Sequence, residues 1–156
     1  MRRTLVRHLV VALVLVLSAA LIPAAPASAD DRRTPAEIRN RVEYLINRQR
    51  VRHGLRRLRV NDKTQYWARD HARDMARRGA IYHDSNLGSE VPGGCGAIAE
   101  NVGRTTADDA ARSTMSLFMD SAAHRDNILK KRMTHMGIGV AKSGNYTYIV
   151  QRFIDR

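Results

Sequence analysis

Hydrophobic residues recur along this chain in three rhythms. An unbroken apolar run from Leu9 to Ile22, interrupted only by Ser18, comes first. Helical spacing follows: Ile38, Val42, Leu45 and Ile46 form one stripe, and Tyr66, Trp67, Ala68, His71, Ala72, Met75 and Ala76 form a broader second one. A third stripe, Ala110, Ala111, Thr114, Leu117 and Phe118, is the expected inner face of a later helix. The period then drops to two. Met136, Ile138 and Val140 alternate with Gly137, Gly139 and Ala141, and after Gly144-Asn145 the residues Tyr146 to Phe153 alternate again. This predicts a β-hairpin with two fairly apolar faces, so helices should cover both. Gly137 and Gly139 share one face, where another element is expected to come close to the backbone.

Polar punctuation sets the element ends. Thr34-Pro35-Ala36-Glu37 combines an N-cap, a proline in the first turn and a capping-box glutamate, and Gly54 is the natural stop of that helix. Leu55 and Leu58 should tuck the following loop onto the core. Asp62 is expected to cap the second helix, which Gly79 ends. Thr106 with Asp109 marks the start of the third. Ser121 is the expected cap of a short fourth helix through Leu129, which puts His124 in its first turn. Ala97 to Val102 should be a short strand carrying Glu100 outward. The predicted order is helix, helix, loop, strand, helix, short helix, hairpin, an α+β sandwich.

The first rhythm is a different kind of signal. Arg2, Arg3 and Arg7 precede the 14-residue apolar run, and Pro26-Ala27-Ser28-Ala29 supplies small residues at a cleavage spacing. Residues 1–29 therefore read as a secretory signal cut after Ala29, since a membrane span needs about 20 apolar residues. Residues 30–156 form one domain of 127 residues, long enough for a single core. Its formal charge is +9 after removal of three arginines from the +12 of the whole sequence. A basic exported domain is drawn to anionic wall polymers or lipid head groups. Of its partners, no specific nucleic acid is indicated. Arginine outnumbers lysine 23 to 4, a bias that coding composition alone can produce. Cys95 is the single cysteine, so no intramolecular disulfide can form. It lies in the tight segment Pro92-Gly93-Gly94-Cys95-Gly96, where it is either buried, free or paired between chains.

Residues able to carry chemistry concentrate between His83 and Asn127. His83, His124 and Glu100 offer two imidazoles and a carboxylate, a set that can hold a catalytic zinc or do acid–base work without metal. Their spacing chooses neither, and no His-Glu-x-x-His helix is present. His124-Arg125-Asp126 resembles a kinase catalytic loop, but Lys131 stands where that loop needs asparagine. Gly137-Ile138-Gly139 lacks the third glycine of a dinucleotide loop. Neither Ser85 beside His83 nor Cys95 sits in a nucleophile elbow. His71, within an apolar stripe, is expected to be a hydrogen-bonded core residue.

Several segments in order carry a family resemblance. They are Asn47-Arg48-Gln49-Arg50 with Gly54-Leu55, Ala68 with His71-Ala72 and Asp74-Met75-Ala76, Tyr82-His83-Asp84-Ser85, Ala99-Glu100-Asn101-Val102, Ser121 with His124-Arg125 and Asn127-Ile128-Leu129, and Met136 to Ala141. Over about residues 38 to 154 the chain resembles the bacterial, secreted SCP-like branch of the CAP superfamily of cysteine-rich secretory, antigen-five and pathogenesis-related proteins. That resemblance implies an α-β-α sandwich with a central antiparallel sheet. It also implies a surface cleft with two histidines and, in many relatives, two glutamates, which binds a divalent metal in some members. His83, His124 and Glu100 carry over as metal-site residues, with zinc the expected ion, and Asn127 and Ser121 as supporting donors. Ser121 stands where fuller members have a second glutamate, Ala99 replaces a glycine, and the disulfides of eukaryotic members are absent. The expected function is a non-enzymatic extracellular or cell-envelope binding module. The alternatives are a metal-dependent hydrolase of peptide, ester or wall substrates using Glu100, His83 and His124, and a basic lipid- or anionic-polymer-binding protein with a structural cleft.

Overall fold

The computed structural model describes residues 33–89 and 96–156. The expected signal segment and cleavage point, and the expected burial or pairing of Cys95, lie outside the described residues. Helix α1 (Pro35–Arg52) is followed by a two-residue strand β1 (Arg59–Val60) and helix α2 (Asp62–Arg78). Strand β2 (Ile98–Thr105), helices α3 (Ala110–Asp120) and α4 (Ala122–Leu129), and strands β3 (His135–Ser143) and β4 (Tyr146–Ile154) complete the order. The sheet runs β1-β3-β4-β2.

The hairpin forms where its alternation predicts. β3 and β4 pair antiparallel from His135↔Ile154 to Ser143↔Tyr146, and Gly144 turns the corner at φ 53°. β2 adds antiparallel on the far side of β4. The sheet is not wholly antiparallel, because β1 pairs parallel with β3. Two residues are too few to show a period. They are stitched in by the backbone, Arg59 N–H donating to Thr134 O (3.1 Å) and Asn61 N–H to Met136 O (2.9 Å).

The two sheet faces are covered unequally. Met136, Ile138, Val140, Ile149, Phe153 and Ala99 pack with Ile38, Val42 and Ile46 of α1, Ala110, Ala111, Met115 and Phe118 of α3, and Ile128 of α4. The opposite face belongs to α2: Ala68, Ala72, Met75 and Ala76 meet Val102, Ala141, Tyr148 and Val150. The helix comes so close that a Cβ on Gly139 would stand 1.9 Å from Ala68 O, and one on Gly137 2.4 Å from Gln65 N. These two glycines are the close approach that their shared face predicts, and they fix α2 against β3.

Helix ends follow the capping chemistry with three shifts. The Thr34–Glu37 box closes reciprocally, Thr34 N–H reaching Glu37 Oε2 at 2.7 Å and Glu37 N–H reaching Thr34 Oγ1 at 3.3 Å. The cap of α2 is Asn61, whose Oδ1 accepts Thr64 N–H at 2.9 Å, and Asp62 falls one place later in the first turn. Asp109 alone caps α3, through Arg112 N–H at 2.9 Å. Ser121 occupies the N-cap position of α4 but its hydroxyl makes no capping bond.

Two apolar residues expected inside are outside. Tyr66 is 59% exposed and Leu117 57%. At 100° per residue, Tyr66 lies opposite the inward row Thr64, Ala68, His71, and Leu117 lies off the row Ala111, Met115, Phe118. Conversely, Arg50 continues the inward row of α1 and is fully buried. Its guanidinium donates to four carbonyls: Arg56 O (2.9 Å), Ile128 O (2.8 Å), Lys130 O (3.1 Å) and Met133 O (3.3 Å). Those bonds fasten the end of α1 to both the next loop and the connection between α4 and β3.

Candidate functional site

The site is assembled at the β2 edge of the sheet, where the loop after α2, the strand and the start of α4 meet. The loop leaving α2 carries His83. It is held from below by His71, whose Nε2 lies 2.8 Å from Tyr82 O, and by the Tyr82 hydroxyl, which donates to Asp74. His71 is thus the core residue expected of it, and its position explains how a loop histidine is placed by a helix. Asp74 is lowered to about 2, first by the Tyr82 hydroxyl and then by Arg77.

Glu100 projects from β2. Its side chain is 1% exposed, so it points into the molecule rather than outward. Each oxygen is engaged. Oε1 is 3.0 Å from His83 Nδ1 and accepts Asp84 N–H at 3.1 Å, while Oε2 accepts Arg152 Nε–H at 3.0 Å. Arg152 stands directly across from Glu100 in the β2–β4 register and is also buried. Its Nη2 donates to Asp84. One guanidinium therefore bridges a strand carboxylate and a loop carboxylate, and the loop bearing His83 is tied down at both Oε1 and Asp84. His83 itself stays 63% exposed. With Nδ1 facing Glu100, its Nε2 is turned away from the carboxylate.

His124 comes from the first turn of α4. Its ring lies against Phe118 of α3, centroids 4.8 Å apart. Its Nδ1 is buried without a hydrogen-bond partner. Burial, and then the nearby His83, push its pKa below the ordinary histidine value, which favours a neutral ring. α4 is pinned to β2 by amides. Asn101 Nδ2 donates to His124 O (3.0 Å) and to Gln151 Oε1 (3.1 Å), and Asn127 Nδ2 donates to Asn101 Oδ1 (2.9 Å) and Glu100 O (3.3 Å). Asn127 thus lies beside the site as a strut between α4 and β2. Ser121 sits at the α3–α4 junction, its carbonyl accepting Arg125 N–H at 2.9 Å.

The structure brings His83 and Glu100 into contact and His124 close enough to feel His83. Among the described residues, no group of three or more His, Cys, Asp or Glu side chains has the geometry of a metal cage. Motif spacing missed Arg152 and Gln151, and Asp84, present in the segment Tyr82-His83-Asp84-Ser85, had no structural role assigned to it. Arg152 did leave a trace: it shares strand parity with Tyr148 and Val150, and a charge on a buried face demands a charged partner.

Comparisons with known proteins agree with this architecture. The pattern of the family described as "CAP: Cysteine-rich secretory protein family" matches residues 43–153. An uncharacterized protein of Bacillus subtilis, YkwD, is 28% identical over 144 residues, covering 85% of this chain but 55% of its own length. Among solved structures, an extracellular SCP-domain protein of Bacillus anthracis superimposes with TM-score 0.69 at 24% identity, covering 85% of this chain and 45% of that one. An outer surface protein of Borrelia burgdorferi gives 0.71 at 14% identity over 80% and 96% of the two chains. The chain thus spans about half the length of the two Bacillus proteins and nearly all of the Borrelia one. With the pattern matched from α1 to β4, and the sandwich and its buried glutamate in place, the chain belongs to the CAP, or cysteine-rich secretory protein, family.

Proposed function

We propose that this is an exported, non-enzymatic binding domain that acts outside the cell or in its envelope, with a cleft that takes a divalent cation on His83 and His124. The observation that carries this reading is the burial of Glu100 and the engagement of both its oxygens. A general base needs a free lone pair aimed at the proton it takes. Here Oε1 serves His83 and Asp84, and Oε2 serves Arg152. Three donors thus hold Glu100 in place and its side chain is 1% exposed, which suits a positioning group and argues against a hydrolase that depends on it as base.

Imidazole nitrogens are donors that suit a borderline cation such as zinc. A carboxylate behind His83 Nδ1 is the arrangement that fixes ring orientation and raises the basicity of the other nitrogen. The lowered pKa of His124 keeps its ring neutral, the form in which an imidazole can bind a metal. His83 and His124 would hold the ion, Glu100 would orient His83, and Asn101 and Asn127 would keep α4 seated, with Ser121 at the site's edge. When bound, the cation would supply a Lewis-acidic anchor for a donor atom of the ligand. Export is supported by the apolar run with its small-x-small end, and by relatives described as extracellular.

Calorimetric titration of zinc into residues 30–156 tests the reading. His83→Ala, which removes an exposed side chain, should abolish binding. Glu100→Ala should weaken it about 10- to 100-fold. Absence of zinc binding by the unmodified domain sinks the metal proposal. Turnover of peptide, ester or wall-fragment substrates that His83→Ala abolishes sinks the non-enzymatic one.

A further inference from the structure

A second concave site lies at the other end of the sheet. A groove of about 600 Å³ opens between the loop after α1, strand β1, the α4–β3 connection and the end of β4. Its walls carry Arg56, Arg57, Arg59, Lys131 and Arg156, and no aspartate or glutamate lines it. These five cations come from three stretches far apart in sequence, and all five are exposed. None of them makes an ion pair among the described residues. Asp155, the chain neighbour of Arg156, is paired with Arg132.

The walls are not loose. Buried Arg50 donates to Arg56 O on one side and to Lys130 O and Met133 O on the other. It therefore sets the distance between the two basic walls and leaves its own positive charge beneath the groove without a carboxylate partner. Holding five like charges around one hollow is unfavourable unless something anionic enters it. A single small anion would not use five cations from three segments. Four of the five are arginines, whose planar donors suit phosphate oxygens in pairs.

We infer that this groove binds a linear polyanion with repeated phosphodiester groups, lying along the groove with successive phosphates against Arg56, Arg57, Arg59 and Lys131. The lining separates this ligand from other polyanions. Among the described residues His135 is the one aromatic ring lining the groove, whereas single-stranded nucleic acid is held by several aromatic platforms for successive bases. The apolar lining residues are a buried Met133 and a half-buried Leu55, which give a membrane nothing to anchor. An extracellular polymer of alditol phosphates has the required charge and no bases. The site is independent of the His83–His124 cleft.

Fluorescence anisotropy with a labelled poly(glycerol phosphate) oligomer and residues 30–156 tests the inference. The triple variant Arg56→Glu, Arg57→Glu, Lys131→Glu should weaken binding about 100-fold at low salt, and binding by the unmodified domain should fall steeply with added salt. The charge-matched control Lys63→Glu, Arg69→Glu, Arg73→Glu, on the exposed face of α2, should weaken it less than about fivefold. His83→Ala should leave it unchanged. Circular dichroism verifies that each variant is folded; backbone NMR shifts on adding the oligomer, concentrated at residues 54–59 and 131–135, give a readout that needs no variant. The inference is overturned by no binding, by equal losses in both triple variants, by shifts away from the groove, or by tighter binding to single-stranded DNA or to anionic phosphatidylglycerol vesicles.

Discussion

Replacing Arg152 with methionine takes one buried guanidinium away from two carboxylates. Arg152 is 1% exposed, faces Glu100 across the β2–β4 pair, and donates to Glu100 Oε2 at 3.0 Å and to Asp84. Methionine fills much of the same space, so packing loss is small. The cost comes from leaving Glu100, whose side chain is equally buried, without its counter-charge. Breaking a buried pair in this way costs about 3–5 kcal/mol, a large share of the 5–15 kcal/mol (roughly) that holds a domain folded. The companion variant Arg152→Met, Glu100→Gln removes the stranded strand charge while keeping an Oε1 acceptor for His83 and Asp84. It should recover about half of the loss, with the remainder assigned to Asp84. Urea unfolding followed by circular dichroism measures both, with the m-value checked for constancy. A single-variant loss under about 1 kcal/mol, or a double variant no better than the single, would refute the claim that this ion network is a principal support of the site.

Gly139→Ala should destabilise the fold by about 3 kcal/mol or prevent folding, because its Cβ would stand 1.9 Å from Ala68 O and α2 would have to lift; Gly103→Ala, whose Cβ would meet the Phe118 ring at 3.1 Å, should cost about 1 kcal/mol or less in thermal melts. His124 has its folded pKa depressed by burial and by His83, so its neutral form is favoured in the fold. Stability should therefore erode as pH falls through the free-imidazole value of about 6.5, and His124→Gln should flatten that slope in melts taken across the range. Asp74, lowered to about 2 chiefly by the Tyr82 hydroxyl, contributes stability that is present above the ordinary carboxylate value and lost as pH falls through 2. Tyr82→Phe should move its NMR-titrated pKa upward, and an unchanged value would mean that Arg77 and Arg78 hold it alone.

Much of the architecture was written in periodicity and punctuation. Stripes at Ile38, Val42, Ile46 and at Ala68, Ala72, Met75 placed α1 and α2 on the sheet, and the alternation from Met136 to Phe153 placed the hairpin. Gly137 and Gly139, repeated on one face, foretold the close helix. Strand β1 left no signal, because its pairing depends on backbone groups that any residue carries. The caps at Asn61 and Asp109 show how one position can decide between neighbouring polar residues, each able in principle to turn back on the helix. The site was legible as residue types in family order, but the roles were not. The burial of Glu100 and its commitment to Arg152 depend on cross-strand register, which brings together residues 52 apart. Arg50 is the same lesson on the other face: an arginine in an apolar row looks misplaced until four distant carbonyls converge on it.

Among the described residues strand β2 ends the sheet on one side, and an uncovered strand edge invites another chain to pair with it. Asn127 donates its amide to Glu100 O along that edge, and α4 lies beside it. The amide that seats His124's helix is therefore also a guard on the sheet, occupying a carbonyl that an incoming strand would need. Loosening α4 would do more than blur the cleft: it would offer β2 as a template for self-association, so the protection of the sheet edge and the shape of the site depend on the same few amides.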